Sequence, residues 1–152
     1  MAGNFGIRQA LETDEPAVRA CAEDAYEQYV AAIGKKPAPM VADFSTLIAS
    51  GFVYVAVEEK ANVIGFIVFF QKGDHVLLEN VAVRSSATGR GVGKCLIALC
   101  EDEAKRSGAK SIKLYTNEKM TENLSIYPHI GYREIERKTE DGFNRVYFEK
   151  LL

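Results

Sequence analysis

The chain has 152 residues, 47% of them hydrophobic, and a formal net charge of −2. That length fits one domain with a core of its own, and the charge balance offers no basic stripe to nucleic acid. The longest strongly apolar run, Val63 to Phe70, is far too short to cross a bilayer as a helix, and Met1 to Phe5 carries no charged-then-apolar leader pattern, so a soluble, cytoplasmic protein is expected. Cys21, Cys95 and Cys100 each fall on a predicted helix face and are expected as reduced, packed thiols. No His/Cys cluster has ligand spacing, so no metal is expected.

In chain order, Ile7 to Leu11 reads as a short strand. Thr13 caps a helix with Asp14, Glu15 and Pro16 in its first turn, and Val18, Cys21, Ala22, Ala25, Tyr29 and Ile33 form its apolar stripe up to Gly34. After the connector Lys35 to Met40, a shorter helix runs from Asp43 to Ser50. Phe52 to Val57, Val63 to Gln71 and Val76 to Val83 are three strands joined by short polar turns, Glu59 to Asn62 and Lys72 to Asp74, and are therefore antiparallel neighbours. A helix with Val92, Leu96, Leu99, Cys100 and Ala104 on one face follows, then a strand from Ser111 to Thr116. Strand, helix, strand implies a crossover and a locally parallel pair. A short helix, Asn123 to Ile130, precedes a last hairpin, Tyr132 to Lys138 with Asn144 to Lys150. The sum is an α/β (α+β) domain spanning 1–152: a mixed, mostly antiparallel central sheet flanked by helices on both faces.

Ser85-Ser86-Ala87-Thr88-Gly89-Arg90-Gly91-Val92-Gly93-Lys94 joins the third of those strands to the long helix. Glycines at alternate positions allow a tight turn and close backbone approach to a ligand. The first turn of a helix adds unpaired N–H donors and partial positive charge, so the segment reads as a phosphate or pyrophosphate site. A dinucleotide fingerprint is excluded because Leu96 stands where a third glycine belongs, and a nucleoside-triphosphate loop because Cys95 follows Gly93-Lys94.

Val81-Ala82-Val83 followed by Gly89-Arg90-Gly91-Val92-Gly93 and an apolar helix resembles the acetyl-CoA motif of the Gcn5-related N-acetyltransferases, the GNAT family. A second segment, Asn117, Met120, Glu122-Asn123, Tyr127 and Gly131-Tyr132, resembles the family's helix of CoA contacts and catalytic tyrosine, which a Gly-aromatic strand start follows. Both motifs lie in the family's order and separation, and the likeness runs from about Gly51 to the C-terminus. The chain departs at Thr88, where the family often has Gln or Arg.

The resemblance implies transfer of the acetyl group of acetyl-CoA to a primary amine of a small molecule or peptide, by direct attack in a ternary complex. It implies main-chain contacts to the pantetheine arm from Val81, Ala82 and Val83. Pyrophosphate binding falls to the loop from Thr88 and Gly89 through Arg90, Gly91, Val92, Gly93 and Lys94. Asn123 is either a contact to the pantetheine or phosphate region or a helix cap. Tyr127 would protonate the leaving thiolate. An alkylamine with a pKa near ~10.4 is mostly ammonium at neutral pH, so a base is also required. Glu79, two residues from Val81 and so on its face of the strand, is the candidate, with Glu118, Glu122 or a water chain as alternatives. In the family the first two helices and their connector select the acceptor, and Tyr29 and Met40 are expected to line an apolar wall there. A family-like homodimer is left open, with no residue fixing an interface. The rival reading is a non-catalytic acyl-CoA-binding sensor that keeps the cleft without turnover.

Overall fold

The computed structural model describes residues 4–59 and 62–152. Seven strands form one sheet in the order β1-β2-β3-β4-β5-β7-β6: β1 Phe5–Gln9, β2 Val53–Glu58, β3 Asn62–Lys72, β4 His75–Val83, β5 Ser111–Asn117, β6 Arg133–Glu140 and β7 Phe143–Leu151. Every neighbouring pair is antiparallel except β4–β5, the parallel pair that the crossover requires. The mixed, mostly antiparallel sheet with helices on both faces is therefore as expected. Residues 60 and 61 of the expected Glu59 to Asn62 turn lie outside the described residues, as do residues 1–3.

The helices are α1 Glu15–Tyr26, α2 Val30–Ile33, α3 Phe44–Ala49, α4 Val92–Arg106 and α5 Thr121–His129. Two local expectations are corrected. The chain enters α1 through a 3-10 turn, Glu12–Asp14, so Asp14 rather than Thr13 stands at its N-cap, and the Asp14 carboxylate accepts from the Leu11 amide at 2.7 Å. The expected single helix up to Gly34 is interrupted by a 3-10 turn at Glu27–Tyr29 before α2 ends at left-handed Gly34. So short a tightening keeps the apolar side chains on one side, and periodicity does not register it.

Two apolar clusters sandwich the sheet. One packs Val92, Leu96, Ile97, Cys100 and Ala104 of α4 and Tyr127 of α5 on the β4, β5 and β7 residues Leu78, Leu114 and Phe148. The other packs Val18, Cys21, Ala22 and Tyr26 of α1 and Phe44 and Ile48 of α3 on Val53, Val55, Phe66, Val68 and Ala82. Gly65 admits α4 to this contact: a Cβ there would stand 3.0 Å from Val92 Cγ1 and 3.0 Å from the Ala82 carbonyl oxygen. Of the three thiols, Cys21 and Cys100 are buried as expected, whereas Cys95 faces solvent.

One irregularity decides where the site lies. The β3–β4 register runs Val68↔Asn80 and then Phe69↔Leu78, which leaves Glu79 as an extra, unpaired residue: a β-bulge. The alternation of faces changes phase there. Val76 and Leu78 belong to the α4 cluster, but Ala82, of the same parity, belongs to the α1 cluster, and Val81 and Val83 turn towards α4.

Candidate active site

The β4–β5 ladder stops at Leu78↔Leu114. Beyond it β4 continues through the unpaired Glu79 and from Asn80 to Val83 paired only with β3, and β5 continues from Tyr115 to Asn117 paired only with β7. The two strands therefore part into a V with open backbone edges. A cleft of about 900 Å³ lies on the α4 side of the V, lined among others by Val81, Ala82, Val83, Thr88, Gly93 and Lys94. An inner cavity of about 40 Å³ lies between the strands, α1 and the connector to α3. Val81, Asn123 and Tyr127 line both.

The glycine loop forms the upper rim of the cleft. Gly89 and Gly91 have φ of 81° and 78°, the left-handed region that favours glycine, and Gly91 is the N-cap of α4. Among the described residues no group accepts a hydrogen bond from the amides of Gly89, Arg90 or Gly91, and the first-turn amides of α4 have no intrahelical partner by geometry. The loop is clamped from behind. Ser85 N and Oγ donate to Asp24 of α1 at 2.7 and 3.2 Å, and Arg90 Nη1 donates to Glu58 of β2 at 3.1 Å. The Arg90 side chain is thus tied to β2, while Lys94 lines the cleft. Thr88 Oγ1 donates to the Ser85 carbonyl at 3.0 Å, and the Val92 side chain is core. Unpartnered amides and a lysine thus face one rim of the cleft, a geometry that suits an anion.

Tyr127 projects from α5 and is held between aromatic rings, Tyr132 at 5.8 Å and Phe148 at 5.6 Å between centroids. It is 6% exposed, and among the described residues no group hydrogen-bonds its hydroxyl. Burial pushes the phenol well above its ordinary range, so it stays protonated. Asn123, one turn earlier, donates from Nδ2 to Thr116 Oγ1 at 3.1 Å. The bond stitches α5 to the end of β5 rather than capping its own helix.

Glu79 lines the inner cavity from the bulge, with the Tyr115 hydroxyl donating to its Oε1 at 3.5 Å. Burial and then the Glu79 charge raise the Tyr115 phenol. The Arg145 guanidinium lies 4.4 Å over the Tyr115 ring. Tyr26 of α1 closes the floor, its hydroxyl 2.8 Å from Asn80 Oδ1 and 2.9 Å from the Val81 carbonyl oxygen. Asn80 in turn donates to the Pro39 carbonyl at 3.0 Å, fixing the connector. The expected wall residues lie elsewhere. Met40 is 7% exposed within the α1 cluster, and Tyr29 packs at the rim of that cluster near Glu122; neither lines the two cavities. Their neighbours Tyr26, Pro37 and Pro39 line the inner cavity instead. Tyr115, Phe143 and Arg145 also reach it; the sequence offered Tyr115 only as a poor candidate for the base and did not mark the other two, because strand pairing, Asn117↔Arg145 in β5–β7 and Glu140↔Phe143 in β6–β7, brings them there.

The glycine loop above a splayed strand pair leaves a cleft open on the α4 side. Residues 11–132 match the model of the acetyltransferase (GNAT) family, and the chain belongs to that family. It is 34% identical over 76 residues to the uncharacterized N-acetyltransferase YvbK of Bacillus subtilis (strain 168). That match takes in 50% of the chain and spans about half (48%) of the relative's length. Two crystal structures share the fold across 97% of this chain and 99% of theirs. They are the PaiA N-acetyltransferase of Thermoplasma acidophilum in complex with coenzyme A, with TM-score 0.78 and 16% identity, and a GNAT-family acetyltransferase of Staphylococcus aureus Mu50, with TM-score 0.81 and 17% identity.

Proposed function

We propose that this chain is a single-domain, acetyl-CoA-dependent N-acetyltransferase that acetylates a primary amine of a small molecule or peptide by direct attack in a ternary complex. The observation that carries this reading is that the cleft and the inner cavity meet at Val81, Asn123 and Tyr127. Two ligands entering from opposite sides of the V would touch at those three residues.

The residues present fit coenzyme A. The unpartnered amides of Gly89 to Gly91, the first-turn amides from Val92 to Lys94 and the Lys94 side chain suit the pyrophosphate. The unladdered stretch of β4 offers main-chain groups of Val81, Ala82 and Val83 to an amide-bearing arm, and Asn123 lines the same cleft. Bound acetyl-CoA supplies an acetyl group activated as a thioester.

The chain's own groups then handle protons. Glu79, directly or through water, takes a proton from the ammonium so that nitrogen carries a lone pair. The nitrogen gives up two protons over the reaction. One leaves through Glu79, and the other balances the proton that Tyr127 delivers to sulfur as the C–S bond breaks. The buried phenol is a weaker acid than a free one, and burial moves a thiol in the same direction, so the bound geometry has to offset the gap that remains between donor and acceptor. The exposed thiol of Cys95 fits a reducing compartment such as the cytoplasm.

The test is calorimetric titration with acetyl-CoA, followed in the same sample by thiol release on adding amines. Binding with amine-dependent release supports the enzyme. Binding with no release from any amine turns the reading to the acyl-CoA-binding module, and no binding overturns it.

A further inference from the structure

Resting on the acetyltransferase reading, we propose that the acceptor is a small amino carboxylate, whose ammonium group docks on Glu79 and whose carboxylate is held by Arg145. The inner cavity is lined by both charged residues, and each contacts the Tyr115 side chain, Glu79 at its hydroxyl and Arg145 over its ring. The phenol hydroxyl of Tyr115 meets Glu79 at 3.5 Å, while its ring lies 4.4 Å under the Arg145 guanidinium.

Neither charge is fully matched within the protein. Among the described residues no lysine or arginine forms an ion pair with Glu79. The Arg145 side chain is only 11% exposed, yet its carboxylate neighbours stand at 3.5 Å (Glu140) and 3.8 Å (Asp141), with no two-pronged pair. Glu140 is shared with Lys138 and with the Tyr147 hydroxyl, and Asp141 is 83% exposed. A guanidinium placed over an aromatic ring keeps a planar donor fork that suits a carboxylate. Lys35 reinforces the sign of this end: its Nζ lies 4.1 Å over the Phe143 ring, whose centroid is 5.7 Å from Arg145.

The charge order selects the ligand. A diamine would set its second ammonium against Arg145 and Lys35. A simple alkylamine would bring the guanidinium no carboxylate beyond the loosely placed Glu140 and Asp141, and a peptide N-terminus would offer a neutral amide there. The cavity of about 40 Å³ favours a short link between amine and carboxylate. In this orientation the amine lies on the side of Val81 and Tyr127, where the two cavities meet.

Steady-state thiol release with the wild-type enzyme tests this, using glycine, alanine and β-alanine, each beside its carboxamide and its decarboxylated amine. We expect kcat/KM at least ten-fold higher for one of the free amino acids than for its two partners, expressed mainly in KM. Arg145→Gln then removes that preference by raising KM for the amino acid, and Arg145→Lys restores part of it. The wild-type comparison stands even if Arg145→Gln fails to fold. If the carboxamide or the plain amine is used as well as the amino acid, the proposal is overturned while the acetyltransferase reading survives. If none of these eight compounds (alanine and β-alanine share ethylamine as their decarboxylated amine) releases thiol, the proposal also falls, and acetyl-CoA titration in the same sample shows whether the acetyltransferase reading falls with it.

Discussion

The Tyr26 hydroxyl sits 2.9 Å from the Val81 carbonyl oxygen and 2.8 Å from Asn80 Oδ1. One phenol on α1 thus holds the stretch of β4 that has left the β5 ladder. Open strand edges expose unpaired backbone groups, and here a buried side chain satisfies one of them. Tyr26→Phe leaves Val81 O and Asn80 Oδ1 without this donor in a buried setting. The expected loss is about 1–2 kcal/mol of unfolding free energy, measured by urea denaturation, together with weaker acetyl-CoA binding. Unchanged stability would show that the bond does not hold the strand.

Tyr127 contrasts with Tyr26, since its hydroxyl has no partner among the described residues while its ring is packed by Tyr132 and Phe148. Tyr127→Phe keeps that packing and removes only the hydroxyl, and with it the transferable proton. Turnover is expected to drop by about 10²-fold with the Kd for acetyl-CoA little changed, in the usual range for losing a general acid. Thiol-release kinetics beside calorimetry separate the two; a rate left intact removes Tyr127 from proton transfer.

Glu79→Gln keeps the size of the bulge residue and removes its basicity. The kcat/KM is expected to fall by about 10–10²-fold, and the acidic limb of its pH profile to flatten. A limb that persists in the variant assigns the base to another carboxylate or to a water chain.

Asp14 accepts from both Arg8 guanidinium nitrogens, at 2.7 and 3.1 Å, and from the Leu11 amide at 2.7 Å. These contacts, led by the Arg8 hydrogen bonds, hold its carboxyl below the usual range despite partial burial. A depressed folded-state pKa contributes stability that is complete above the unfolded value of about 3.9 and is lost as pH falls through the folded one. Asp14→Asn is therefore expected to cost about 1 kcal/mol at pH 7, a figure kept low because the Arg8 side chain is 41% exposed. The difference between variant and wild type should shrink as the pH is taken below about 4; a gap that stays constant there would remove the charge from the account.

Burial pushes the Cys21 and Cys100 thiols up to about 12, whereas Cys95 lies exposed near the start of α4. A disulfide reagent at pH 8 is expected to titrate one thiol per native chain quickly and all three in denaturant. Fast reaction of two or more in the native protein contradicts the packing of α1 and α4 on the sheet.

The order and type of the elements were legible in the sequence because the signals are local. Alternation marks strands, the 3.6-residue period marks α4, and glycine is favoured where φ is positive, as at Gly89 and Gly91. For the same reason the tight glycine turn into α4 could be drawn from residues 85–94 alone. Met40 shows the limit: an apolar residue beside a predicted site reads alike whether it lines a cavity or fills the core, and only packing put it in the α1 cluster.

The sequence by itself thus determined the strand–loop–helix that carries the glycine turn, and with it the family. Tertiary structure alone decided the inner cavity. It joins Glu79 of β4, Tyr115 of β5 and Arg145 of β7 to Tyr26 of α1, and those positions meet through ladder register and through a ladder that ends at Leu78↔Leu114. The unpaired residue at Glu79 adds a change of phase that simple alternation does not carry. Periodicity records which face a residue prefers within its own element. Register, bulges and the parting of strands are relations between distant segments, fixed by burial of the whole sheet.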